Sequence, residues 1–254
     1  MNTPANPIYS SRTRFPEGIV AEFWMPRKPS HKAIILCDGC PSLPSRHKVG
    51  EFFARKGYWV FHPRYRGTWE SDGVFLKDEP SDDVSLVAHA LNDGFMDIMT
   101  RTTYLLDIEA ITVVGASFGG TAAMLSLRDP LITNAVALAP VIDWRAESKA
   151  EPFSFFVTLL KEGFGGAYRA HPTAWKRLQG GKFFSPTHAT RQIDAGRLFV
   201  VHALDDQVVP AAPLRVFAKA IGLRPLFLRT GGHYSTRAIM ERDLWKEVSA
   251  FLKS

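Results

Sequence analysis

Residues 115–119 read Gly-Ala-Ser-Phe-Gly, the G-x-S-x-G pattern of a serine held at a sharp strand-to-helix turn. The residues directly before this pattern, Ile-Thr-Val-Val, have the sequence of a buried strand. The residues directly after it, Gly-Thr-Ala-Ala-Met-Leu, have the sequence of a tightly packed helix start. Small residues are needed there because the backbone approaches itself closely. The pattern predicts Ser117 as a nucleophile. The alternative is a buried serine at a helix start beside packing glycines.

A serine hydroxyl becomes a good nucleophile only when a neighbouring base removes its proton. In sites built on such a turn, an acid and then a histidine follow the serine along the chain. Asp205 and Asp206 come just after the apolar run 198–201, where a carboxylate would lie at the ligand-binding edge of a parallel sheet. We predict Asp206, followed by Gln-Val-Val-Pro, as the acid and Asp205 as a brace of the loop. Either could instead be a turn or helix-cap aspartate.

The base is predicted to be His233, in the sequence Thr-Gly-Gly-His-Tyr after the apolar run 226–228. Its two preceding glycines allow a loop that brings an imidazole over the nucleophile. His202 is the rival, but it ends a strand and precedes the acid, so we expect it to be a packed structural residue.

Backbone amides must also bind the oxyanion of a tetrahedral intermediate. The amide of Phe118 is the first predicted donor, because it directly follows the nucleophile. The second is predicted to come from the loop after the strand 33–37, from the amide of Cys40, with the amide of Gly39 as the alternative.

Cys37 and Cys40 also form a C-x-x-C pattern, which could indicate redox chemistry or half a metal site. The chain holds only two cysteines, and no further ligands stand at zinc-binding spacing. Pro41 and Pro44 favour a loop here rather than the helix start of a thioredoxin-like motif. We therefore predict neither a metal nor an organic cofactor, and keep redox function as a rival hypothesis.

Residues 64–73 form an aromatic and basic loop after the strand 58–61. Arg64, Arg66 and Trp69 are candidate substrate-binding residues, because an arginine can hold an anionic group through two hydrogen bonds. The alternative, which the frequency of structural ion pairs favours, is that an arginine pairs with a local carboxylate and fixes the loop.

Short apolar runs alternate with amphipathic segments along the chain, which predicts an α/β fold: a mostly parallel twisted sheet with helices on both faces. The predicted buried strands are 33–37, 58–61, 110–114, 135–139, 198–201 and 226–228, and the run 19–25 is a candidate antiparallel edge. Apolar residues at helical spacing begin near Val49, Val84, Leu214 and Leu244. Residues 145–196 are rich in Phe, Trp, Gly and Pro and are predicted to be a helical cap inserted into a single domain, residues 1–254.

The composition is that of an ordinary globular protein, with 46% hydrophobic and 22% charged residues among 254. The net charge of +6 comes from scattered basic residues, so neither a nucleic acid nor a membrane surface is expected as a partner. The polar start and the two cysteines predict a cytoplasmic location. The oligomeric state stays open, a homodimer being one alternative.

These motifs fall in one order along the chain: Asp38-Gly39, the 63–73 loop, the 115–119 turn, residues 206–210 and Gly232-His233. Together they resemble the α/β-hydrolase superfamily, nearest its prolyl-oligopeptidase and dienelactone-hydrolase-like branches. Three departures stand out: Asp38-Gly39 replaces the His-Gly common at the oxyanion turn, there is no room for a propeller domain, and Ser117 stands where dienelactone hydrolases carry cysteine.

The resemblance and the residues together predict a serine hydrolase that cleaves a carboxylic ester of a small molecule. The aromatic cap favours an apolar or aromatic acyl group. A small-peptide or amide hydrolase of the prolyl-oligopeptidase type is the alternative within the class, and a catalytically silent binding protein with this fold is the alternative outside it.

Overall fold

The computed structural model describes residues 8–146, 148 and 150–253. Within that part of the chain, eight strands form one sheet in the order β1-β2-β4-β3-β7-β8-β9-β10. The strands are β1 Ser10–Arg14, β2 Val20–Trp24, β3 Lys32–Cys37, β4 Trp59–Pro63, β7 Ala110–Ala116, β8 Ile132–Leu138, β9 Leu198–Ala203 and β10 Leu226–Leu228. A small hairpin pairs β5 Phe95–Met96 with β6 Thr103–Tyr104. The sheet is parallel from β4 to β10, as the sequence predicts.

Helices cover both faces of this sheet, because each central strand is apolar on both sides. In β3, Ala33 and Ile35 join one buried cluster, whereas Ile34 and Leu36 join the other. The helices are α1 His47–Arg55, α2 Pro80–Asp93, α3 Phe118–Ser126, α4 Phe153–Phe164, α5 Pro172–Gln179, α6 Ala211–Ile221 and α7 Arg242–Phe251. Buried residues of α2, α3 and α6 belong to the first cluster, and those of α1 and α7 to the second.

The amino-terminal edge differs from the sequence-based expectation in one respect. β2 is antiparallel to β4, as predicted, but β1 pairs with its other side and takes the edge position. The sequence of β1, Ser-Ser-Arg-Thr-Arg, has no apolar alternation because the strand faces solvent, where Arg12 and Arg14 pair with Glu70 and Asp72. The strand was not predicted from the sequence because its residues are all polar.

The strand order places the loops that follow β3 and β7 next to each other. From β3 the chain moves outward to β4, and β7 later joins the opposite side of β3. Ligands in open parallel sheets bind at such a reversal, outside the carboxyl ends of the strands. The Asp38-Gly39 turn and Ser117 therefore meet at this point of the sheet. The interpretation of residues 145–196 as an inserted cap stays a prediction; the segment contains α4 and α5.

Candidate active site

Ser117 lies on a strained turn between β7 and α3. Its backbone has φ 56° and ψ −123°, in the left-handed region that costs a residue with a Cβ about 1–3 kcal/mol. Two hydrogen bonds hold the turn: the Ser117 amide donates to the carbonyl of Leu138 (2.9 Å), and the Thr121 amide donates to the Ser117 carbonyl (3.2 Å). Ser117 is half-buried between fully buried neighbours, so the turn presents this side chain at the surface of the core.

The small residues around Ser117 are required by close backbone contacts. A Cβ on Gly115 would overlap the carbonyl of Gly119, and a Cβ on Gly119 would overlap the carbonyls of Cys37 and Asp38. The start of α3 is thus packed directly on the end of β3, with no space for a methyl group. This contact fixes the distance between the nucleophile turn and the Asp38-Gly39 turn.

Asp206 and His233 meet across two loops. His233 Nδ1 lies 2.8 Å from Asp206 Oδ2, while the other carboxylate oxygen accepts the amides of Val208 (2.8 Å) and Val209 (2.9 Å). Burial raises the pKa of Asp206, but the hydrogen bonds from His233, Val209 and Val208 outweigh burial and leave the pKa below its usual value. An ionised carboxylate only accepts hydrogen bonds, so Nδ1 carries the proton and Nε2 has its lone pair free.

Asp205 braces the loop that carries His233. Its carboxylate accepts the amides of Gly232 (2.8 Å) and Gly231 (3.2 Å), while Asp205 itself is exposed. Gly232 has φ 62°, a conformation that favours glycine, and this allows both amides to point at one carboxylate. The adjacent aspartates therefore do different work: Asp206 contacts the imidazole, and Asp205 holds its loop.

His202 is fully buried in β9, where its Nε2 lies 2.9 Å from the carbonyl of Val209. Burial lowers the pKa of His202, which keeps the ring neutral. Its Nε2 is also 3.6 Å from Asp206 Oδ2, so His202 packs behind the carboxylate that contacts His233.

Two cavities adjoin Ser117. The larger, of about 570 Å³, adjoins the start of α4 and is lined by Phe118, Trp144, Phe153 and Phe156, among others. The smaller, of about 300 Å³, is lined by His233 together with Gly39. Ser117 and Cys40 line both cavities, so the structure brings the predicted nucleophile and base to one shared space.

The turn after β3 forms one wall of this space. Both Gly39 and Cys40 line the smaller cavity, so the choice between their amides as oxyanion donors stays open. Tyr65 donates its hydroxyl to the Asp38 carbonyl (3.1 Å), and the Ser42 amide donates to the Tyr168 hydroxyl (2.9 Å). The Asp38 side chain is buried against His62 Nε2 (2.8 Å) and Arg46 (2.7 Å). These contacts hold the turn after β3 in place on both sides of Gly39 and Cys40.

Cys37 and Cys40 are both free, buried thiols. Burial raises the pKa of both thiols well above the usual value. A reactive thiol needs the opposite shift, toward the thiolate. The redox hypothesis therefore loses its chemical support. Within the described residues, no group of three or more His, Cys, Asp or Glu side chains is placed to hold a metal ion.

None of the three candidate substrate-binding residues is among the described residues that line these two cavities. The Arg64 side chain is 1% exposed and lies 3.4 Å from Glu22 and 3.5 Å from Glu70. Its Nη1 donates to the carbonyl of His62 (2.8 Å). Two carboxylates and a backbone carbonyl therefore hold this guanidinium in place, as the structural alternative for the loop expects.

Arg66 and Trp69 are likewise engaged elsewhere. The Arg66 side chain pairs with Asp83, and its amide donates to the Asp83 carboxylate (2.8 Å). The Trp69 amide donates to the carbonyl of Ala167 (2.9 Å), and its ring lies 6.5 Å from that of Phe164. The loop is thus a structural link to the 145–196 segment.

Sequence reasoning missed the charged residue that lines both cavities. Glu151, just before α4, lines both cavities beside Ser117. It stands in no motif, and its only signal in the sequence was its place in the segment predicted to cover the site.

The mostly parallel eight-stranded sheet covered by helices is the α/β-hydrolase fold. Residues 46–243 match the model of the prolyl oligopeptidase family. The chain belongs to that family, and it is a hydrolase of this superfamily. No curated protein matches the chain.

Solved structures resemble the whole chain at low sequence identity. An esterase of Pyrococcus furiosus is 19% identical with a TM-score of 0.71, over 100% of this chain and 95% of that one. An acylaminoacyl peptidase of Pyrococcus horikoshii is 15% identical with a TM-score of 0.69, over 98% of this chain and 41% of its own. A puromycin-hydrolyzing peptidase of Mycobacterium tuberculosis is 16% identical with a TM-score of 0.70, over 100% of this chain and 42% of that one. At these identities the likeness establishes the fold.

A search of the described helices for a stretch able to span a bilayer finds none of sufficient length and apolarity.

Proposed function

We propose that the protein is a serine hydrolase that cleaves carboxylic esters of small molecules through an acyl-serine intermediate. The observation that carries the proposal is the 2.8 Å contact of His233 Nδ1 with buried Asp206, beside a cavity that Ser117 also lines. With Nδ1 protonated, Nε2 is the free base. It takes the proton from Ser117 Oγ as that oxygen attacks the substrate carbonyl.

The negative charge that develops on the carbonyl oxygen is stabilised by the Phe118 amide at the start of α3 and by an amide of the Gly39-Cys40 turn. The α3 amino terminus adds its positive dipole end at the same place. His233 then passes its proton to the leaving alkoxide, so that the acyl group stays on Ser117. His233 then takes a proton from water as the water oxygen attacks the acyl carbon. The imidazolium returns that proton to Ser117 Oγ when the bond from the acyl carbon to Oγ breaks, so the acid leaves and the serine is restored. Asp206 stays ionised throughout and stabilises the imidazolium.

Amide or small-peptide hydrolysis is the second candidate, and membership of the prolyl oligopeptidase family favours it. The same residues would act, with His233 protonating a leaving amine. The two candidates differ in the leaving group and are separated by kcat/KM on p-nitrophenyl esters and on aminoacyl p-nitroanilides of matched acyl groups.

The test of the proposal is the turnover of Ser117→Ala on whichever substrate is hydrolysed. We expect kcat to fall on the order of 10⁶-fold while the protein stays folded. Ser126→Ala is the matched control, because Ser126 lies on the same helix and its hydroxyl donates only to the Ala123 carbonyl (2.8 Å). Ser117→Ala protein that keeps most of its activity would overturn the proposal.

A further inference from the structure

Glu151 places a negative charge at the junction of the two cavities. It is half-buried and lines both of them, as do Ser117 and Cys40. It shares the smaller cavity with His233. Among the described residues, no lysine or arginine forms an ion pair with it.

The other carboxylate of the larger cavity is neutralised locally. Asp143 is held by Arg145 through two contacts, Nη2 to Oδ2 at 2.8 Å and Nε to Oδ1 at 3.0 Å. Arg145 also lines this cavity, so the two charges cancel there. Glu151 is therefore the carboxylate of this cavity that lacks a basic side chain as its partner among the described residues.

A carboxylate that has lost part of its hydration is stabilised by a cation that enters the same space. Burial raises the pKa of Glu151, and the neighbouring His233 offsets only part of that rise. The aromatic rings of Trp144, Phe153 and Phe156 line the larger cavity, and aromatic faces attract cations as well as apolar groups. The cavity thus combines an apolar wall with a carboxylate that has no basic partner among the described residues.

We propose that Glu151 binds a protonated amino group of the substrate, so that the enzyme selects esters or amides that carry an ammonium group beside an apolar or aromatic side chain. The inference rests on the proposed function in one respect, that Ser117 is the reacting residue. It names the substrate class that the geometry of Glu151 selects.

Binding can be measured without catalysis. We would titrate the folded full chain with 2-phenylethylamine, which is a cation at pH 7, and with 2-phenylethanol, its neutral counterpart of the same size, by isothermal titration calorimetry. The proteins are the wild type, Glu151→Gln and Glu162→Gln. Glu162 is the matched control, since it is an exposed glutamate on α4 that lines neither cavity.

We expect the amine to bind about tenfold more tightly than the alcohol to the wild type and to Glu162→Gln, because a hydrogen-bonded charge is worth more than a neutral pair. In Glu151→Gln the two ligands should bind equally. Equal binding to the wild type, a preference for the amine that survives in Glu151→Gln, or no binding of either ligand would each overturn the inference.

Turnover supplies a second readout. The ratio of kcat/KM for L-phenylalanine methyl ester to that for methyl 3-phenylpropionate, which lacks the amino group, should fall about tenfold in Glu151→Gln at pH 6.5. An equal loss on both esters would show that Glu151 acts through His233 and would contradict substrate recognition. Loss of the Ser117 dependence of hydrolysis would instead refute the proposed function, while the calorimetric result would stand on its own.

Discussion

His233 donates its Nδ1–H to Asp206 over 2.8 Å, and Asp206 is held in turn by the amides of Val208 and Val209. Because an ionised carboxylate can only accept hydrogen bonds, this contact requires the tautomer of His233 that carries its proton on Nδ1. The base that faces the cavity is therefore set by a residue on another loop, more than twenty positions earlier in the chain.

Asp206→Asn should lower kcat by about 10⁴-fold, because an amide can hold the histidine in the wrong tautomer. Asp205→Asn is the matched control, since it changes the neighbouring carboxylate, which accepts the amides of Gly231 and Gly232. We expect Asp205→Asn to cost less than tenfold in kcat, measured at saturating substrate. Larger damage from Asp205→Asn than from Asp206→Asn would reverse the two assignments.

Asp206 should also contribute to stability in a pH-dependent way. Its pKa in the folded protein is below the value of about 3.9 expected when unfolded, so its ionised form stabilises the fold. This contribution is complete above pH 4 and is lost as the pH falls through the folded pKa. The difference in free energy of unfolding between wild type and Asp206→Asn, measured by urea titration, should therefore shrink below pH 4. A difference that is constant from pH 7 to pH 3 would contradict the lowered pKa.

Gly119→Ala tests the contact between the nucleophile turn and the oxyanion turn. A methyl group there overlaps the carbonyls of Cys37 and Asp38, so the two turns must separate. We expect a loss of about 1–3 kcal/mol in stability and of about 10²-fold in kcat. Gly166→Ala is the control, because nothing lies within 4 Å of the added carbon. A Gly119→Ala enzyme with normal kcat would show that this spacing has no effect on the chemistry.

Arg64→Met separates a structural role from substrate binding. The change leaves Glu22 and Glu70 without their buried partner, and the unfolding free energy should fall by about 3 kcal/mol with little change in KM. Arg12→Met removes a half-exposed arginine that also pairs with Glu70, at 2.7 Å, and should cost less than about 1 kcal/mol. A raised KM with unchanged stability in Arg64→Met would support the substrate-binding hypothesis instead.

The sequence predicted the parallel sheet and brought Ser117, Asp206 and His233 into consideration because each follows an apolar strand run. The carboxyl ends of parallel strands lie at the same edge of the sheet. Residues that follow different strands in the sequence are therefore expected to lie near one another in the structure. The same reasoning also separated Asp205 from Asp206 by their place in the loop. The contacts of both carboxylates agree with that separation, while the catalytic roles are for the kinetics above to decide.

Other features depended on contacts that no local pattern encodes. The Arg64 side chain is buried beside Glu70 of its own loop and beside Glu22 of strand β2, and the contact with Glu22 is the one that no local pattern encodes. Strand β1 was concealed because an edge strand that faces solvent needs no apolar alternation. Glu151 was missed because its significance comes from the two cavities that it lines, whose other residues come from distant parts of the chain.

The most direct test of the account is covalent labelling of the folded protein with a fluorophosphonate probe, read out by peptide mass spectrometry. An activated serine attacks the phosphorus, so we expect one adduct, on the peptide that contains Ser117, with labelling slowed at least about 10³-fold in His233→Ala. Folded protein that forms no adduct at Ser117, or labels equally fast without His233, would contradict the claim that these side chains form a working nucleophile and base.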